Sequence, residues 1–200
     1  MQLQSEPLLI VISGTSGAGK DSVIKAMQKR GLPIHFVVTA TSRARRPNEV
    51  EGEDYFFVTR ERFEEMIAGD ELIEHALVYG EYKGVPRQQV VDALASGKDV
   101  VLRVDVQGAL TLRRQFPRAV LIFLSAEDMN EIAQRLENRS TEEEDELRRR
   151  LDTAQWEMEQ LGQFDYWVVN RHGQLEQTVD ILIAIIQAEH HRICHLRSLP

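Results

Sequence analysis

Cysteine is nearly absent from this 200-residue chain, in which Cys194 is the only one. A single cysteine cannot form an intrachain disulfide, and it cannot supply a cysteine-based zinc cluster. A long hydrophobic run is also lacking, because the apolar stretches are far shorter than the roughly 20 residues that span a bilayer. The N-terminus has no basic region of the kind that begins a signal peptide. We therefore expect a soluble, cytoplasmic protein that has no membrane partner.

Positive charge is scarce as well, with 24 lysines and arginines against 32 aspartates and glutamates and a formal net charge of −8. An acidic surface repels nucleic acid and anionic membranes, so neither is an expected partner. A polyphosphate site would have to collect its positive charge locally. The length and the 42% of hydrophobic residues suit one α/β domain with inserted subregions.

A glycine-rich loop follows the apolar run at residues 8–12 and precedes a segment with helical spacing. The loop consists of Gly14, Thr15, Ser16, Gly17, Ala18, Gly19 and Lys20. Its glycines let the backbone approach an anion closely, so that N–H groups and the positive end of the next helix can converge on phosphate oxygens. Lys20 adds a mobile positive charge for the outer phosphates. The order of strand, loop and helix predicts a nucleotide phosphate site of the G-x-x-x-x-G-K type.

The residue after Lys20 departs from this motif. Serine or threonine normally stands there and helps to hold Mg²⁺, whereas this chain has Asp21, with Ser22 one residue later. A carboxylate suits the first turn of a helix and is a hard oxygen ligand for Mg²⁺, although it also repels phosphate. We hypothesise that Asp21 acts on the metal, either directly or through water.

Apolar runs and helical patterns alternate along the chain. Runs typical of buried strands lie at residues 8–12, 34–40, 99–105, 119–124 and 165–170. Helical spacing between them favours a P-loop, three-layer α/β/α fold with a central five-stranded parallel sheet. Residues 55–85 have the pattern of short strands, one helix and a hairpin. They predict a small antiparallel sheet inserted into the parallel one.

Several side chains are candidates for binding a ligand. Arg43, Arg45 and Arg46 follow the second predicted strand, and arginine can place two parallel hydrogen bonds on one phosphate. The hydroxyl of Tyr55 could share that phosphate, but a solvated basic surface is the alternative. Glu74 follows two apolar residues and could project from a strand into a cleft, unless it is an ordinary solvated glutamate.

Two further candidates lie later in the chain. Asp105 ends a predicted parallel strand, at the edge where open α/β sheets bind ligands, so it could act on Mg²⁺ or orient a ligand. Arg150 and the two arginines before it each follow an acidic residue by four positions. The alternative for these arginines is a salt-bridged, exposed helix face.

The C-terminal segment is rich in histidine. His190 and Cys194, and likewise His191 and His195, have the i,i+4 spacing that can bind a transition metal on a helix. A solvated terminal helix explains the same residues. The sequence leaves the choice between these two interpretations open.

Together, these motifs resemble those of guanylate kinase. The resemblance rests on the phosphate loop and on residues 42–58, 73–76, 80–84, 104–108, 135–139 and 168–170, and it covers nearly the whole chain. It implies Mg²⁺-dependent transfer of the ATP γ-phosphoryl group to GMP, and to dGMP, by a monomer or homodimer. It also implies a single domain with a core at residues 1–38, 86–126 and 152–200, a GMP-binding insert at residues 39–85 and a helical lid at residues 127–151.

The resemblance also implies a role for individual residues. The phosphate loop, Asp21, Ser22 and Arg135 would bind ATP, with Asn170 near the adenine. Lys20 would serve in catalysis together with Arg139 and Arg150, which would close on the phosphates. The residues that would bind GMP are Thr39, Arg43, Arg46, Tyr55, Glu74, Lys83 and Asp105. Glu74 would read guanine, because a carboxylate accepts from both N1–H and N2–H₂, a pair of donors that adenine lacks.

Three more positions depart from the family pattern. Lys83 replaces a phosphate-binding tyrosine, Val85 replaces a serine or threonine, and Arg103 replaces the first acidic residue of an L-D-x-D-x-Q-G segment. These changes could retune or widen the choice of acceptor. Two other functions stay open: a related kinase for another phosphorylated acceptor such as ribose 1,5-bisphosphate, and a non-catalytic guanylate-kinase-like binding module.

Overall fold

Five parallel strands form the central sheet. The computed structural model describes residues 3–78, 80–128, 131–133 and 144–198. In spatial order the strands are β10 (Tyr166–Val169), β9 (Val120–Ser125), β2 (Leu9–Gly14), β8 (Asp99–Arg103) and β3 (Ile34–Phe36). Each neighbouring pair is parallel, which confirms the predicted sheet. Every residue of β2 and β9 is buried, as expected for strands covered on both faces.

Helices cover both faces of this sheet, so the predicted three-layer α/β/α fold is confirmed. The helices are α1 (Lys20–Lys29), α3 (Arg87–Ala95), α4 (Val106–Gln115) and α6 (Leu175–Glu189). Successive residues of a strand point to opposite faces. Accordingly, Ile10 and Ile12 pack with α1 and α6, whereas Leu9 and Val11 pack with α3 and α4.

A second sheet carries the inserted region, and it is mixed rather than antiparallel. Its strands in spatial order are β5 (Tyr55–Phe57), β4 (Thr39–Thr41), β7 (Glu81–Pro86) and β6 (Leu72–Val78). Both pairs that involve β7 are antiparallel, as predicted, but β4 and β5 are parallel. Helix α2 (Arg60–Ala68) buries Phe63 and Met66 in the core beside this sheet. The prediction was therefore wrong about the direction of one strand pair.

The predicted strand at residues 34–40 is two strands in two sheets. After β3, Val37 still donates its N–H to the carbonyl oxygen of Val101 in the central sheet, at 3.0 Å. The backbone of Val38 is hydrogen-bonded by the side chain of Gln89 and not by a neighbouring strand. Oε1 of Gln89 accepts from the N–H of Val38 at 3.1 Å, and Nε2 donates to its carbonyl oxygen at 3.0 Å. The chain leaves the central sheet there and continues as β4. An apolar, β-branched run does not reveal which sheet its residues join.

The two i,i+4 pairs among the C-terminal histidines and Cys194 do not lie on one continuous helix. Helix α6 ends at Glu189 and a 3₁₀ turn, Ile193–His195, follows it, so the i,i+4 spacing is not carried on one helix. The ring nitrogens of His190 lie 2.6 Å from the Ser5 hydroxyl and 2.7 Å from the Asp99 carboxylate. Among the described residues, no cluster of three or more His, Cys, Asp or Glu side chains could hold a metal.

The two ends of the described chain meet in a small sheet that was not predicted. Strand β1 (Leu3–Ser5) pairs antiparallel with β11 (Leu196–Ser198). Before β10 lies a long helix, α5 (Glu144–Glu159), with Ala154 fully buried. None of the helices in the described residues has the length and apolar character that crossing a membrane requires.

Candidate active site

A pocket of about 310 Å³ opens where the segments after β2 and β8 face the second sheet. The predicted residues that line it are Thr15, Ser16, Gly17, Ala18, Gly19, Lys20, Asp21, Thr39, Arg43, Arg46, Tyr55, Glu74, Lys83, Asp105 and Arg150. Gly14, Ser22 and Asn170 do not line it. Residues from the loop, the inserted region and α5 therefore meet in one cavity.

The phosphate loop has the backbone that its glycines predict. Gly14, Gly17 and Gly19 have positive φ angles of 130°, 80° and 85°. A Cβ on Gly14 would lie 1.8 Å from the carbonyl oxygen of Leu124, so the loop can pass β9 only with glycine there. Gly19 is the N-cap of α1, and no side chain caps this end of the helix. The first turn of α1 therefore presents backbone N–H groups at the edge of the pocket, as an anion site requires.

The ammonium group of Lys20 lies against this loop. Its Nζ is 2.6 Å from the carbonyl oxygen of Gly14 and 3.0 Å from that of Thr15. Burial lowers the pKa of Lys20, although nearby carboxylates, Glu157 foremost, act in the opposite direction. The cation is thus held among acidic groups at the phosphate loop, where the sequence motif predicts it.

Glu157 is a residue of the pocket that the sequence analysis missed. It lies on α5, is only 6% exposed, and its Oε2 accepts a hydrogen bond from the backbone N–H of Ser16 at 2.8 Å. Burial raises the pKa of Glu157. A signal was available in its position three residues after Ala154 and directly before Met158, which places it beside the apolar residues of the helix. A glutamate at such a position requires a polar partner, and that partner is the phosphate loop.

Arg43 is paired with a carboxylate that the sequence analysis did not single out. Its Nη1 and Nη2 donate to Oε2 and Oε1 of Glu49, at 2.7 and 2.5 Å. The guanidinium carbon lies 4.8 Å from the centre of the Tyr55 ring. Glu49 also accepts from the backbone N–H of Arg46 at 2.9 Å. Glu49 therefore positions both predicted arginines at the rim of the pocket.

Glu74 is buried and not solvated, with 4% of its surface exposed. Its Oε1 has no hydrogen-bond partner within the described part of the chain. Burial raises the pKa of Glu74 to about 8, and the negative charge of Asp105 contributes to the shift. A Cβ on Gly108 would lie 2.6 Å from Oε1, so the carboxyl group packs directly on the backbone of α4. This arrangement offers a ligand an acceptor that the protein does not occupy.

Lys83 and Asp105 both line the pocket, and Asp105 has a structural role that was not predicted. Asp105 is the N-cap of α4, and its side chain accepts from the N–H of Gly108 at 2.9 Å. Lys83 lies on β7, half-buried. Burial lowers the pKa of Lys83, and the charge of Asp105 partly offsets that effect. Lys83 thus contributes its amino group to the wall of the pocket beside Asp105.

Asp21 lies at the pocket and forms an ion pair with Arg103. Its Oδ1 is 2.5 Å from Nη1 of Arg103. The predicted contact with a metal therefore competes with a guanidinium for the same carboxylate. Both residues are departures from the sequence patterns described above, and the fold brings them together.

Asn170 is hydrogen-bonded to the phosphate loop but does not line the pocket. Its Nδ2 donates to the carbonyl oxygen of Ala18 at 2.8 Å, and the hydroxyl of Thr178 donates to its Oδ1 at 3.2 Å. The side chain is 6% exposed. Ser22, by contrast, is exposed on α1. The expected proximity of Asn170 to adenine stays a prediction.

Of the three consecutive arginines on α5, only Arg150 lines the pocket. It is half-buried, whereas Arg148 and Arg149 are exposed. This difference agrees with the separate role expected of Arg150. The other two predicted lid residues, Arg135 and Arg139, lie outside the described residues.

Comparison with known proteins gives a consistent result. The family model described as Guanylate kinase matches residues 6–189. The chain is 51% identical to guanylate kinase 2, chloroplastic/mitochondrial, of Oryza sativa subsp. japonica, over 97% of this chain and 68% of the relative. It is 44% identical to guanylate kinase of Halalkalibacterium halodurans, over 92% and 89% of the two chains. The crystal structure of guanylate kinase from Anaplasma phagocytophilum is similar with a TM-score of 0.82 and 30% identity, over 99% of this chain and 94% of that one.

Proposed function

The chain belongs to the guanylate kinase family, and we infer that it transfers the γ-phosphoryl group of ATP to GMP, giving ADP and GDP. The observation that carries this conclusion is one pocket lined by both the phosphate loop with Lys20 and the buried carboxyl group of Glu74. Phosphoryl transfer requires positioning and charge stabilisation more than covalent chemistry. A shared pocket for donor and acceptor supplies the positioning.

Glu74 is proposed to recognise guanine. Its ionised carboxylate can accept from N1–H and N2–H₂ together, whereas adenine presents no such pair of donors. Its Oε1 lacks a partner in the described part of the chain, so an unbound pocket has an acceptor to offer. Thr39, which also lines the pocket, is the proposed neighbour of the base. Recognition through base and phosphate does not require the ribose 2′-hydroxyl, which supports dGMP as a second substrate.

The phosphate of GMP is proposed to bind between Arg43, Arg46, Tyr55 and Lys83. Three of these carry positive charge in an acidic chain, and all four line the pocket. Arg43 stacks on Tyr55 and is oriented by Glu49. An arginine held in this way presents a planar fork to phosphate with little loss of side-chain entropy. Lys83 adds a point charge in place of a tyrosine hydroxyl.

The phosphates of ATP are proposed to bind the loop amides and Lys20. The uncapped first turn of α1 and the positive φ angles of the loop glycines support this assignment. Arg150 would reach the transferred phosphoryl group from α5, and Arg135 and Arg139 are proposed to assist it. Closure of these arginines would also exclude water, which prevents hydrolysis of ATP. Asn170 would act through the loop that it supports.

Mg²⁺ is proposed as the cofactor that accompanies ATP. The carboxylates of Asp21 and Asp105 line the pocket, and carboxylate oxygens are suitable ligands for this hard cation. The described residues contain no group of three acidic or imidazole side chains that could hold a metal alone. Two carboxylates at the pocket are consistent with a cation that is bound mainly by nucleotide phosphates, with one or two protein carboxylates or waters completing its coordination. Mg²⁺ supplies charge neutralisation at the phosphates when bound.

The remaining proposals concern the setting of the reaction. We propose that the enzyme acts in the cytoplasm, as a monomer or homodimer, in the interconversion of purine nucleotides. The net charge of −8 makes nucleic acid and anionic membranes poor partners.

The decisive experiment offers purified protein with Mg²⁺ and ATP four acceptors separately: GMP, dGMP, AMP and ribose 1,5-bisphosphate. Formation of GDP and dGDP, with much slower reaction of the other two, is the expected result. Lys20→Ala should abolish most turnover, whereas Lys29→Ala, on the exposed end of the same helix, should not. Turnover of the ribose phosphate alone would identify the related kinase, and absence of any product would identify a binding module.

A further inference from the structure

Arg103 contacts elements of both sides of the pocket. It is the last residue of β8, at the edge where the central sheet meets the phosphate loop, and its side chain is 12% exposed. On the donor side, Nη1 donates to Oδ1 of Asp21 at 2.5 Å. Asp21 directly follows Lys20 in the first turn of α1. One end of the guanidinium is therefore attached to the helix that carries the phosphate-binding lysine.

The same guanidinium contacts the acceptor side. Its Nη2 donates to the backbone carbonyl oxygen of Asp54 at 2.9 Å. Its central carbon lies 4.5 Å from the centre of the Tyr55 ring. Tyr55 also contacts Arg43, whose guanidinium carbon is 4.8 Å from the ring centre. Arg103 thus lines the pocket and directly contacts Tyr55, one member of the proposed clamp for the GMP phosphate.

A second ion pair joins the same two elements. Lys25, one helical turn after Asp21, places Nζ 2.6 Å from Oδ1 of Asp54. The other carboxylate oxygen of Asp54 accepts from the N–H of Val50 at 2.9 Å. Helix α1 is therefore linked to the segment before β5 twice, once through Arg103 and once directly. Only the link through Arg103 also contacts the pocket tyrosine.

The chemistry of the guanidinium suits a link of this kind. It is planar and always charged, and it can donate in two directions while it stacks on an aromatic ring. A lysine could pair with Asp21 but could not donate to Asp54 and stack on Tyr55 at the same time. Asp21 stands where the phosphate-loop motif has a hydroxyl, and Arg103 stands where the family pattern has an acid. Because the two residues carry opposite charges, each departure compensates the other.

We propose that Arg103 is a positioning residue that couples the two half-sites, so that nucleotide in the phosphate loop strengthens binding of the acceptor. This inference rests on the proposed function for the identity of the two ligands. The residue acts through Asp21 and Tyr55 and does not itself contact the reacting atoms. Occupation of the loop restrains α1, and the Asp21–Arg103 contact transmits that restraint to the acceptor clamp.

The test measures binding, so that it does not depend on turnover. GMP is titrated calorimetrically into the protein in the absence and presence of a saturating non-hydrolysable ATP analogue with Mg²⁺. The ratio of the two Kd values is determined for the wild type, Arg103→Gln, Asp21→Asn and the double variant. Arg30→Gln is the matched control, because Arg30 directly follows α1, forms exposed ion pairs with Glu176 and Asp180 of α6, and does not line the pocket.

In the wild type the analogue is expected to tighten GMP binding about tenfold, within the range usual for coupled sites. Either single variant should reduce this ratio to about one, and the double variant should be no worse, because both changes remove the same link. Arg30→Gln should keep the ratio of the wild type. A wild-type ratio near one, or a full ratio in Arg103→Gln, would overturn the proposal.

Arg103→Lys is the second variant, for use if Arg103→Gln is not properly folded, as judged by the absence of a cooperative thermal unfolding transition. It retains the charge beside Asp21 but lacks the fork and the stacking plane, so most of the coupling should be lost. A lysine variant with full coupling would contradict the inference. Failure of the proposed function is a separate result: a wild type that binds both nucleotides with coupling but forms no GDP would retain this inference and reject kinase activity.

Discussion

The carboxylate of Glu157 accepts a hydrogen bond from the backbone N–H of Ser16, and this contact ties α5 to the phosphate loop. The same helix carries Arg150 at the pocket. This buried carboxylate is close to the place that the negatively charged phosphates of a bound nucleotide would occupy. The position of α5 and the occupancy of the loop should therefore depend on each other.

Glu157→Gln separates the charge of this residue from its hydrogen bond. Glutamine can still accept from Ser16 but removes a negative charge near Lys20, so the Kd for ATP should fall several-fold. Glu157→Ala also removes the acceptor, which should cost about 1–3 kcal/mol of stability for the N–H left without a partner. Calorimetric titration with ATP and thermal unfolding measure the two effects. Glu159→Gln is the control, because Glu159 is exposed on the same helix, and it should change neither the Kd for ATP nor the unfolding temperature. Weaker ATP binding by Glu157→Gln would contradict this prediction and would mean that the loop requires the negative charge.

Glu74→Gln should weaken recognition of GMP selectively. One acceptor oxygen becomes an N–H₂ group that faces a donor of guanine, and a site left with unpaired polar groups loses about 10²-fold or more in kcat/KM. AMP should not lose activity to the same extent. Steady-state rates with both acceptors test this, and His75→Gln, on the exposed side of the same strand, is the control. Unchanged discrimination between GMP and AMP would contradict the role of Glu74.

Binding of GMP should release a proton near neutral pH. Burial raises the pKa of Glu74 to about 8, so the carboxyl group is largely protonated at pH 7 and must ionise to accept from both guanine donors. The Kd for GMP should then rise as the pH falls below 8, by up to about tenfold per pH unit, and level off above it. Titrations in buffers of different ionisation enthalpy count the released proton. The dependence should be absent in Glu74→Gln; its persistence there would assign it to another group.

Gly108→Ala should displace Glu74 without loosening α4. The added methyl group would lie 2.6 Å from Oε1 of Glu74, closer than any ordinary contact, so the carboxyl group must move. Alanine is otherwise favoured over glycine inside a helix by about 1 kcal/mol. We expect weaker GMP binding with little change in ATP binding or in the unfolding temperature. Equal losses for both nucleotides would indicate a general distortion of the pocket.

Arg150→Ala should lower kcat much more than it changes the Kd for ATP. An arginine that stabilises the charge of a transferring phosphoryl group contributes about 10³-fold or more. Arg149→Ala is the matched control, because Arg149 is exposed on the adjacent position of α5 and does not line the pocket. Stopped-flow and steady-state rates with GMP distinguish the two variants. Similar kcat values for both would place Arg150 among the surface residues.

The central sheet was predictable because burial on both faces leaves a strong pattern. Strands β2 and β9 are continuous apolar runs, and the glycine spacing of the phosphate loop follows from a backbone that reaches positive φ. The second sheet was less predictable. The division of residues 34–40 between two sheets depends on Gln89, which lies far along the chain and bonds the backbone of Val38.

The polar partners within the pocket were the least predictable part. Glu49, Glu157 and Gly108 were not selected from the sequence, because each acts through a contact that its own local pattern does not reveal. Glu157 and Gly108 contact residues that are remote in the chain, and Glu49 contacts Arg43 through the fold of the segment between them. For the C-terminal histidines, the sequence left two interpretations open, a metal site on a helix and a solvated terminal helix. Their spacing suggested shared helix faces, but the helix ends at Glu189.

The sequence by itself determined the strands of the central sheet, the phosphate loop and the set of candidate side chains, because hydrophobic period, glycine spacing and residue chemistry are local properties. Only the tertiary structure decided which carboxyl group is buried, as in Glu74, and which charges meet, as in Asp21 with Arg103. Burial and charge pairing depend on distances between segments that are remote in the chain. For that reason the chemistry of the pocket could be proposed from the sequence, whereas its electrostatics required the fold.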